Sequence, residues 1–142
     1  MPGLHDILDQ WMKGELEPAP VTTLIGIRLL EAGDGAARME LKTSRQHYNP
    51  MQTVHGGIFC DLADAAMGVA MASAVQDGET FTTIELNIHY FRAVRENTLT
   101  ATARVVQRGQ STAYVECDLF DEQQRLVARA SSRCVVIPAP PS

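Results

Sequence analysis

Residues 55–74, HGGIFCDLADAAMGVAMASA, place the strongest constraint on how this chain can fold. The apolar, alanine-rich composition predicts a helix that is hydrophobic on nearly every side, and such helices are usually buried. Asp61 and Asp64 interrupt the apolar run. A carboxylate in a buried helix costs free energy unless it has a partner or a function. The sequence therefore predicts a long central helix that carries a functional acid.

Strand-like runs lie on both sides of this helix. Alternating apolar and polar residues are clear in TTIELNIHYF and AYVECDLF, and the GDG turn at 33–35 predicts a hairpin. The runs are 27–30 and 37–42 before the helix, and 82–91, 98–108, 112–121 and 126–137 after it. We expect the last four to form an antiparallel meander, and one sheet to wrap around the helix and bury it.

The whole chain, residues 1–142, fits a single α+β domain. Residues 1–20 contain a short amphipathic helix over 4–13 and a proline-containing connector. The proline-rich residues 138–142 predict a flexible tail.

Composition argues against several partners. With 12 Lys and Arg against 17 Asp and Glu, the chain lacks the positive surplus that phosphate contacts require, so we expect no nucleic acid partner. No apolar run reaches the roughly 18 residues of a membrane span. The start, MPGLHDILDQ, lacks the basic and apolar parts of a signal peptide, so we expect a cytoplasmic protein with no membrane partner. The histidines show no ligand spacing, and the three cysteines are far apart in sequence, so we expect no metal site and reduced thiols.

Two features of the helix carry candidate chemistry. Gly56 and Gly57 begin it, where free N–H groups and the positive end of the helix dipole suit an anion or a developing oxyanion. A tight loop-to-helix join would need the same glycines. Asp64 lies two turns further on. It is an active-site acid, a hydrogen-bond partner of another helix, or part of a solvent-facing stripe with Asp61.

The spacing of these groups adds a geometric condition. Gly57 and Asp64 are seven residues apart, which is roughly 10 Å along one helix. A single carbonyl group can hardly contact both. If both act on one substrate, they come from two subunits whose helices are antiparallel across a dimer interface.

The loop before the helix adds Asn49 and His55. Asn49 precedes Pro50, so it either forms the turn or holds the substrate or an attacking water. His55 is better placed to hold the loop through a ring hydrogen bond than to act as a base, because Asp64 is better isolated for that task.

The segments HGGIFCDLADAAMG and TTIELNIHYFRAV resemble the hotdog-fold acyl-CoA thioesterases of the phenylacetic-acid-degradation (PaaI-like) type. The resemblance extends from about Gly26 to the end of the chain. It implies the hotdog fold, an antiparallel sheet wrapped around one long central helix. It also implies a homodimer with active sites across the interface, commonly assembled into a homotetramer.

By position, the resemblance implies roles for individual residues. Asp64 matches the catalytic carboxylate, as nucleophile or as general base for water, and the Gly57 N–H would polarise the thioester carbonyl. Asn49 matches an asparagine that holds the thioester or the water, and Thr83 matches a hydroxyl residue near the acid. Asp61 matches no family role, so we expect it to be structural or interfacial.

Coenzyme A ends in phosphates, which arginine, hydroxyl and backbone N–H groups bind. The family's nucleotide-contacting regions match Arg92 and the turn of Arg108, Gly109 and Ser111. Ala93 stands where the family often has proline, which changes the loop that aims Arg92.

These features favour hydrolysis of acyl-CoA to free acid and CoA, with the CoA thioester as substrate and no cofactor. One alternative is a hotdog hydratase or dehydratase, suggested by HYNP at 47–50, although His47 stands where those enzymes place an acid. The other is a non-catalytic acyl-CoA-binding regulator. Four apolar residues of the helix either belong to the core or line a pocket for a medium-chain or aromatic acyl group: Phe59, Leu62, Met67 and Met71.

Overall fold

The computed structural model describes residues 3–141, in which six antiparallel strands form one sheet around a single long helix. Two short helices come first, α1 (Leu4–Met12) and α2 (Pro20–Ile25), and the long helix is α3 (Gly56–Ala72). The strands are β1 (Ile27–Gly33), β2 (Ala36–Lys42), β3 (Glu79–Tyr90), β4 (Thr98–Arg108), β5 (Thr112–Phe120) and β6 (Leu126–Pro138). The predicted α+β hotdog architecture is confirmed.

The predicted terminal segments include residues 1, 2 and 142, which lie outside the described residues. Within the predicted tail, β6 continues through Pro138, and the Ala139 N–H donates a hydrogen bond to the Gly78 carbonyl at 2.8 Å.

The strand order is β1-β2-β4-β5-β6-β3. The hairpin predicted at the GDG turn is confirmed, with Gly33 paired to Ala36. The predicted meander is wrong for β3, which pairs with β6 and not with β4. Both edges of β4 are occupied, by β2 and by β5, so the connection from β3 crosses to the opposite side of the sheet. β3 is left as an edge strand.

One side of α3 packs against the inner face of the sheet. Its largest fully buried side chains are Leu62, Met67 and Met71, and alanines between them let the sheet approach closely. The sheet side chains that are fully buried include Met39, Leu41, Val115, Leu99 and Leu119. Asp61 and Asp64 lie on the opposite, exposed side of the helix.

We expect Leu62→Ala to lower the free energy of unfolding by about 2–5 kcal/mol, because Leu62 has no exposed surface and the change leaves a cavity. Urea denaturation measures this. Leu24, 80% exposed on α2, provides the control, and Leu24→Ala should change stability by no more than about 0.5 kcal/mol. Equal losses in the two variants would contradict the assigned core.

Candidate active site

The start of α3 presents backbone donors that the protein leaves free. His55 is the N-cap residue, and its side chain makes no capping bond. Helices cannot satisfy their own first N–H groups. Within residues 3–141 the Gly57 N–H donates no hydrogen bond. This group and the positive end of the helix dipole therefore favour negative charge at the start of α3.

Steric contact explains why both positions at the helix start are glycine. A Cβ on Gly56 would lie 3.0 Å from the Tyr90 hydroxyl, and one on Gly57 would lie 3.2 Å from the His55 ring. Neither glycine has a positive φ. A side chain at Gly56 would push against Tyr90, which is bonded to the helix start, and one at Gly57 would require the His55 ring to shift slightly.

Tyr90, at the end of β3, is a residue that the sequence reasoning missed. Its hydroxyl donates to the Gly56 carbonyl at 2.9 Å and lies 3.4 Å from the Cys60 sulfur. Its ring meets Phe59 edge to face, with centroids 5.7 Å apart. Burial, and then the Cys60 thiol, raise the pKa of Tyr90 to about 12, so it remains a neutral donor at physiological pH. Its alternating position on β3 was the available signal.

The loop before α3 is held by backbone and side-chain bonds. The His55 N–H donates to the His47 carbonyl, and the Val54 N–H donates to the Val94 carbonyl, each at 2.8 Å. The buried His47 ring accepts a bond from the Ser44 N–H at Nδ1 and donates from Nε2 to the Ile25 carbonyl at 2.8 Å. His47 therefore joins α2 to the loop, which is a structural role.

Asn49 lies at the turn that this loop makes. Its Oδ1 accepts bonds from the Met51 N–H at 3.0 Å and the Thr53 N–H at 3.2 Å, and its Nδ2 donates to the Thr53 hydroxyl. The side chain therefore builds the turn in this structure.

The two acids lie one turn apart on the exposed side of α3. Burial, and then the negative charge of Asp61, raise the pKa of Asp64. Burial raises the pKa of Asp61 as well, although the nearby His55 acts in the opposite direction. Asp64 is partly exposed, yet neighbouring groups remove enough water to raise its pKa above that of a free aspartate.

A cavity of about 320 Å³ opens beside both acids, between α3 and the two short helices. Its other walls are mainly apolar side chains of α1 and α2, including Leu8, Trp11 and Ile25. The acids thus occupy the edge of an apolar space.

Thr83 lies on the inner face of β3, where its hydroxyl is 3.7 Å from the buried Cys134 sulfur. The pairing of β3 with β6 shifts between Thr83 and Glu85, so Ile84 is a bulged residue. Bulges often re-aim side chains next to active sites. Here the bulge allows Thr83 and Leu86 both to face inward.

The two predicted phosphate-binding regions lie at opposite ends of β3. Arg92 follows the strand and makes no ion pair with another residue in the described part of the chain. The Arg108 guanidinium binds both Glu79 carboxylate oxygens, at 2.9 and 2.8 Å, at the start of β3. The Gln76 N–H and Arg108 hold the pKa of Glu79 below its ordinary value. The twelve residues of β3 separate these ends by roughly 35 Å.

Gly109 and Ser111 form the β4–β5 turn beside Arg108. The Gly109 N–H donates to the Thr112 carbonyl, and the Ser111 carbonyl accepts from the Val136 N–H, both at 2.8 Å. The Ser111 side chain is exposed. In one subunit, this turn is remote from the Gly57 end of α3.

None of the helices over residues 3–141 is long and apolar enough to cross a membrane. Within the same residues, no group of three or more His, Cys, Asp or Glu side chains could hold a metal ion.

Comparison with known proteins places this geometry in a family. Residues 51–128, more than half of the chain, match the Thioesterase superfamily. The chain belongs to this family. The resemblance to PaaI-like hotdog thioesterases and the prediction of a thioester hydrolase are therefore confirmed at the level of the family.

Individual relatives agree with this assignment. The acyl-coenzyme A thioesterase PaaI of Escherichia coli is 30% identical over 105 residues, 73% of each chain. The 1,4-dihydroxy-2-naphthoyl-CoA hydrolase of Listeria monocytogenes is 28% identical over 112 residues, 79% of this chain and 89% of that protein. The solved structure of the E. coli PaaI protein superposes with a TM-score of 0.84 at 26% identity, covering 96% of this chain and 98% of that one.

We expect Asp64→Asn to raise the melting temperature at neutral pH. A carboxyl group whose pKa is raised by folding binds its proton more tightly in the folded state, so its ionisation destabilises the fold as pH rises. The gain should shrink as pH falls from the raised pKa of Asp64 towards the ordinary pKa of an aspartate, and it should vanish below that ordinary value. Thermal melts over a pH series measure this, with the exposed Asp9→Asn as control. A gain that stayed constant with pH would contradict the linkage.

Proposed function

We propose that this protein hydrolyses acyl-CoA thioesters to the free acid and CoA, through the Gly57 N–H and the Asp64 carboxylate. The observation that carries the proposal is the unpaired Gly57 N–H on the same helix as an acid with a raised pKa. Perturbed acids beside apolar cavities are common at active sites. The acyl-CoA thioesterase name of the E. coli relative supports the substrate class.

The chemistry requires two events at the thioester carbon. As a nucleophile adds, the carbonyl oxygen becomes negative, and the Gly57 N–H and helix dipole stabilise that charge. Asp64 either attacks the carbon directly, giving an acyl-enzyme anhydride that water then cleaves, or takes a proton from the attacking water. In both routes the C–S bond breaks and CoA leaves as a thiolate that takes up a proton.

One subunit does not bring the two groups together. Gly57 and Asp64 are seven positions apart, which corresponds to roughly 10 Å along α3. β3 is an unpaired edge strand with Ile84 59% exposed, and open apolar edges tend to pair with another chain. A second copy bound antiparallel along β3 by two-fold symmetry would reverse α3. The Gly57 end of one helix would then approach Asp64 of the partner subunit.

The same symmetry would bring the two predicted phosphate-binding regions together. Antiparallel pairing about the middle of β3 places the Tyr90 end of one strand opposite the Glu79 end of the other. Arg92 would then lie near the Arg108 turn of the partner subunit. Arg92 has no acidic partner in its own described chain, whereas Glu79 neutralises Arg108. Arg92 is therefore the stronger candidate to bind a CoA phosphate, and the turn of Gly109 and Ser111 of the partner subunit would lie beside it.

Release of CoA thiol from a panel of acyl-CoAs tests the proposed reaction. We expect Asp64→Asn to lower kcat by about 10²–10⁴ because it removes the base or nucleophile. Gly57→Pro should lower kcat by about 10²–10³, because it deletes the N–H in the first helical turn, where proline is tolerated.

Gly57→Ala is the matched control, since it adds a Cβ but keeps the N–H. It should retain far more activity than Gly57→Pro. Equal losses would refute the donor role. CoA esters that bind without any thiol release would support the regulator alternative instead.

Subunit complementation tests the shared site. Asp64→Asn and Gly57→Pro, co-expressed with different tags, should recover roughly a quarter of the parent activity, because half of the dimers are mixed and each mixed dimer has one intact site. Activity in the mixture no greater than in the separate variants would show that Gly57 and Asp64 do not act across an interface.

A further inference from the structure

The cavity beside Asp64 has a shape and chemistry that the proposed reaction leaves unexplained. At about 320 Å³ it lies at the lower end of the range for small-molecule sites. Such a space fits an acyl group but not the pantetheine and nucleotide of CoA. It is polar only near Asp61, Asp64 and Thr22, and apolar elsewhere.

We infer that this cavity is the acyl pocket, that it belongs to the subunit supplying Asp64, and that Gly68 keeps it open for medium-chain or aromatic acyl groups. The inference rests on the proposed function and adds the location and depth of its specificity pocket. The thioester carbonyl would lie at the Asp64 end, and the acyl chain would run along α3 towards its C-terminus.

The direction of the pocket follows from the stripe of α3 that lines it. Asp64, Gly68 and Ala72 lie one turn apart along one face, so Gly68 is roughly 6 Å and Ala72 roughly 12 Å from Asp64 along the axis. The His5 ring contacts the Val75 carbonyl just beyond α3, so the first residues of α1 lie at the deep end. Leu4 closes the pocket there.

Gly68 is the residue that packing does not explain. A Cβ at this position would meet no atom within 4 Å, and its φ is not positive. Glycine inside a helix is destabilising relative to alanine. The glycines at the start of α3 differ, since a Cβ there would lie close to Tyr90 or to His55. Gly68 therefore makes the helix less stable than alanine would, and it leaves space in the cavity.

The test compares acyl-chain selectivity in Gly68→Leu and the parent, using acetyl-, hexanoyl- and benzoyl-CoA. We expect kcat/KM for hexanoyl- and benzoyl-CoA to fall about tenfold or more, as pocket filling typically causes, while acetyl-CoA changes by no more than about threefold. Ala72→Met, which fills only the deep end, should reject decanoyl-CoA and still accept hexanoyl-CoA.

Gly68→Ala is the control for a folding defect, because alanine favours the helix and its Cβ has room in the cavity. Its melting temperature should be at or above that of the parent, and it should disfavour only the longest acyl chains. An unchanged acyl-chain profile in Gly68→Leu and Ala72→Met would overturn the inference. So would an equal loss with all substrates in Gly68→Leu, since that would place its effect outside an acyl pocket.

A binding measurement separates this inference from the proposed reaction. In an Asp64→Asn background, calorimetry should show that hexanoyl-CoA binds more tightly than CoA, and that adding Gly68→Leu abolishes the difference. This result would support the pocket even if the parent released no thiol. Equal affinity for hexanoyl-CoA and CoA in the Asp64→Asn protein would overturn the pocket, whatever the catalytic result.

Discussion

The packing of α3 against the inner face of the sheet is the interaction on which the rest of the structure depends. Buried Leu, Met and Ala side chains commit one side of the helix to the core. The opposite side is thereby excluded from the core, and both acids lie on it. An apolar helix with two carboxylates is therefore compatible with burial. The packing that stabilises the fold also holds Asp64 on a rigid element beside a cavity, as a precise site requires.

The start of α3 is fixed by several separate segments. The Tyr90 hydroxyl holds the Gly56 carbonyl, and the preceding loop is tied to α2 through His47 and to the segment after β3 through Val94. The direction of the free Gly57 N–H is consequently set before any ligand binds. Donors that are already oriented need no reorganisation when charge develops, which is why such groups are effective in catalysis.

Local patterns explain what could be predicted from the sequence. The apolar run of α3, the GDG hairpin and the bounds of β4 all depend on neighbouring residues. The place of β3 could not be predicted, because it depends on β2 occupying the free edge of β4. Tyr90 alternates with Leu86 and Ile88, which indicates an inward side chain, but its bond to Gly56, 34 residues earlier, could not be predicted because only the fold brings the two together. Glu79, 29 residues before Arg108, is likewise a partner that only the fold reveals.

The proposed dimer would also decide the ionisation of Asp64. In one subunit, burial and Asp61 raise its pKa, which opposes the charged form that a base or nucleophile needs. A second subunit would exclude more water and raise the pKa further. It would also bring the positive end of its own α3 towards Asp64, and that charge favours the carboxylate. The partner helix would thus offset the desolvation that its own approach causes. Pairing two copies of α3 would both close the site to water and keep its acid ionised.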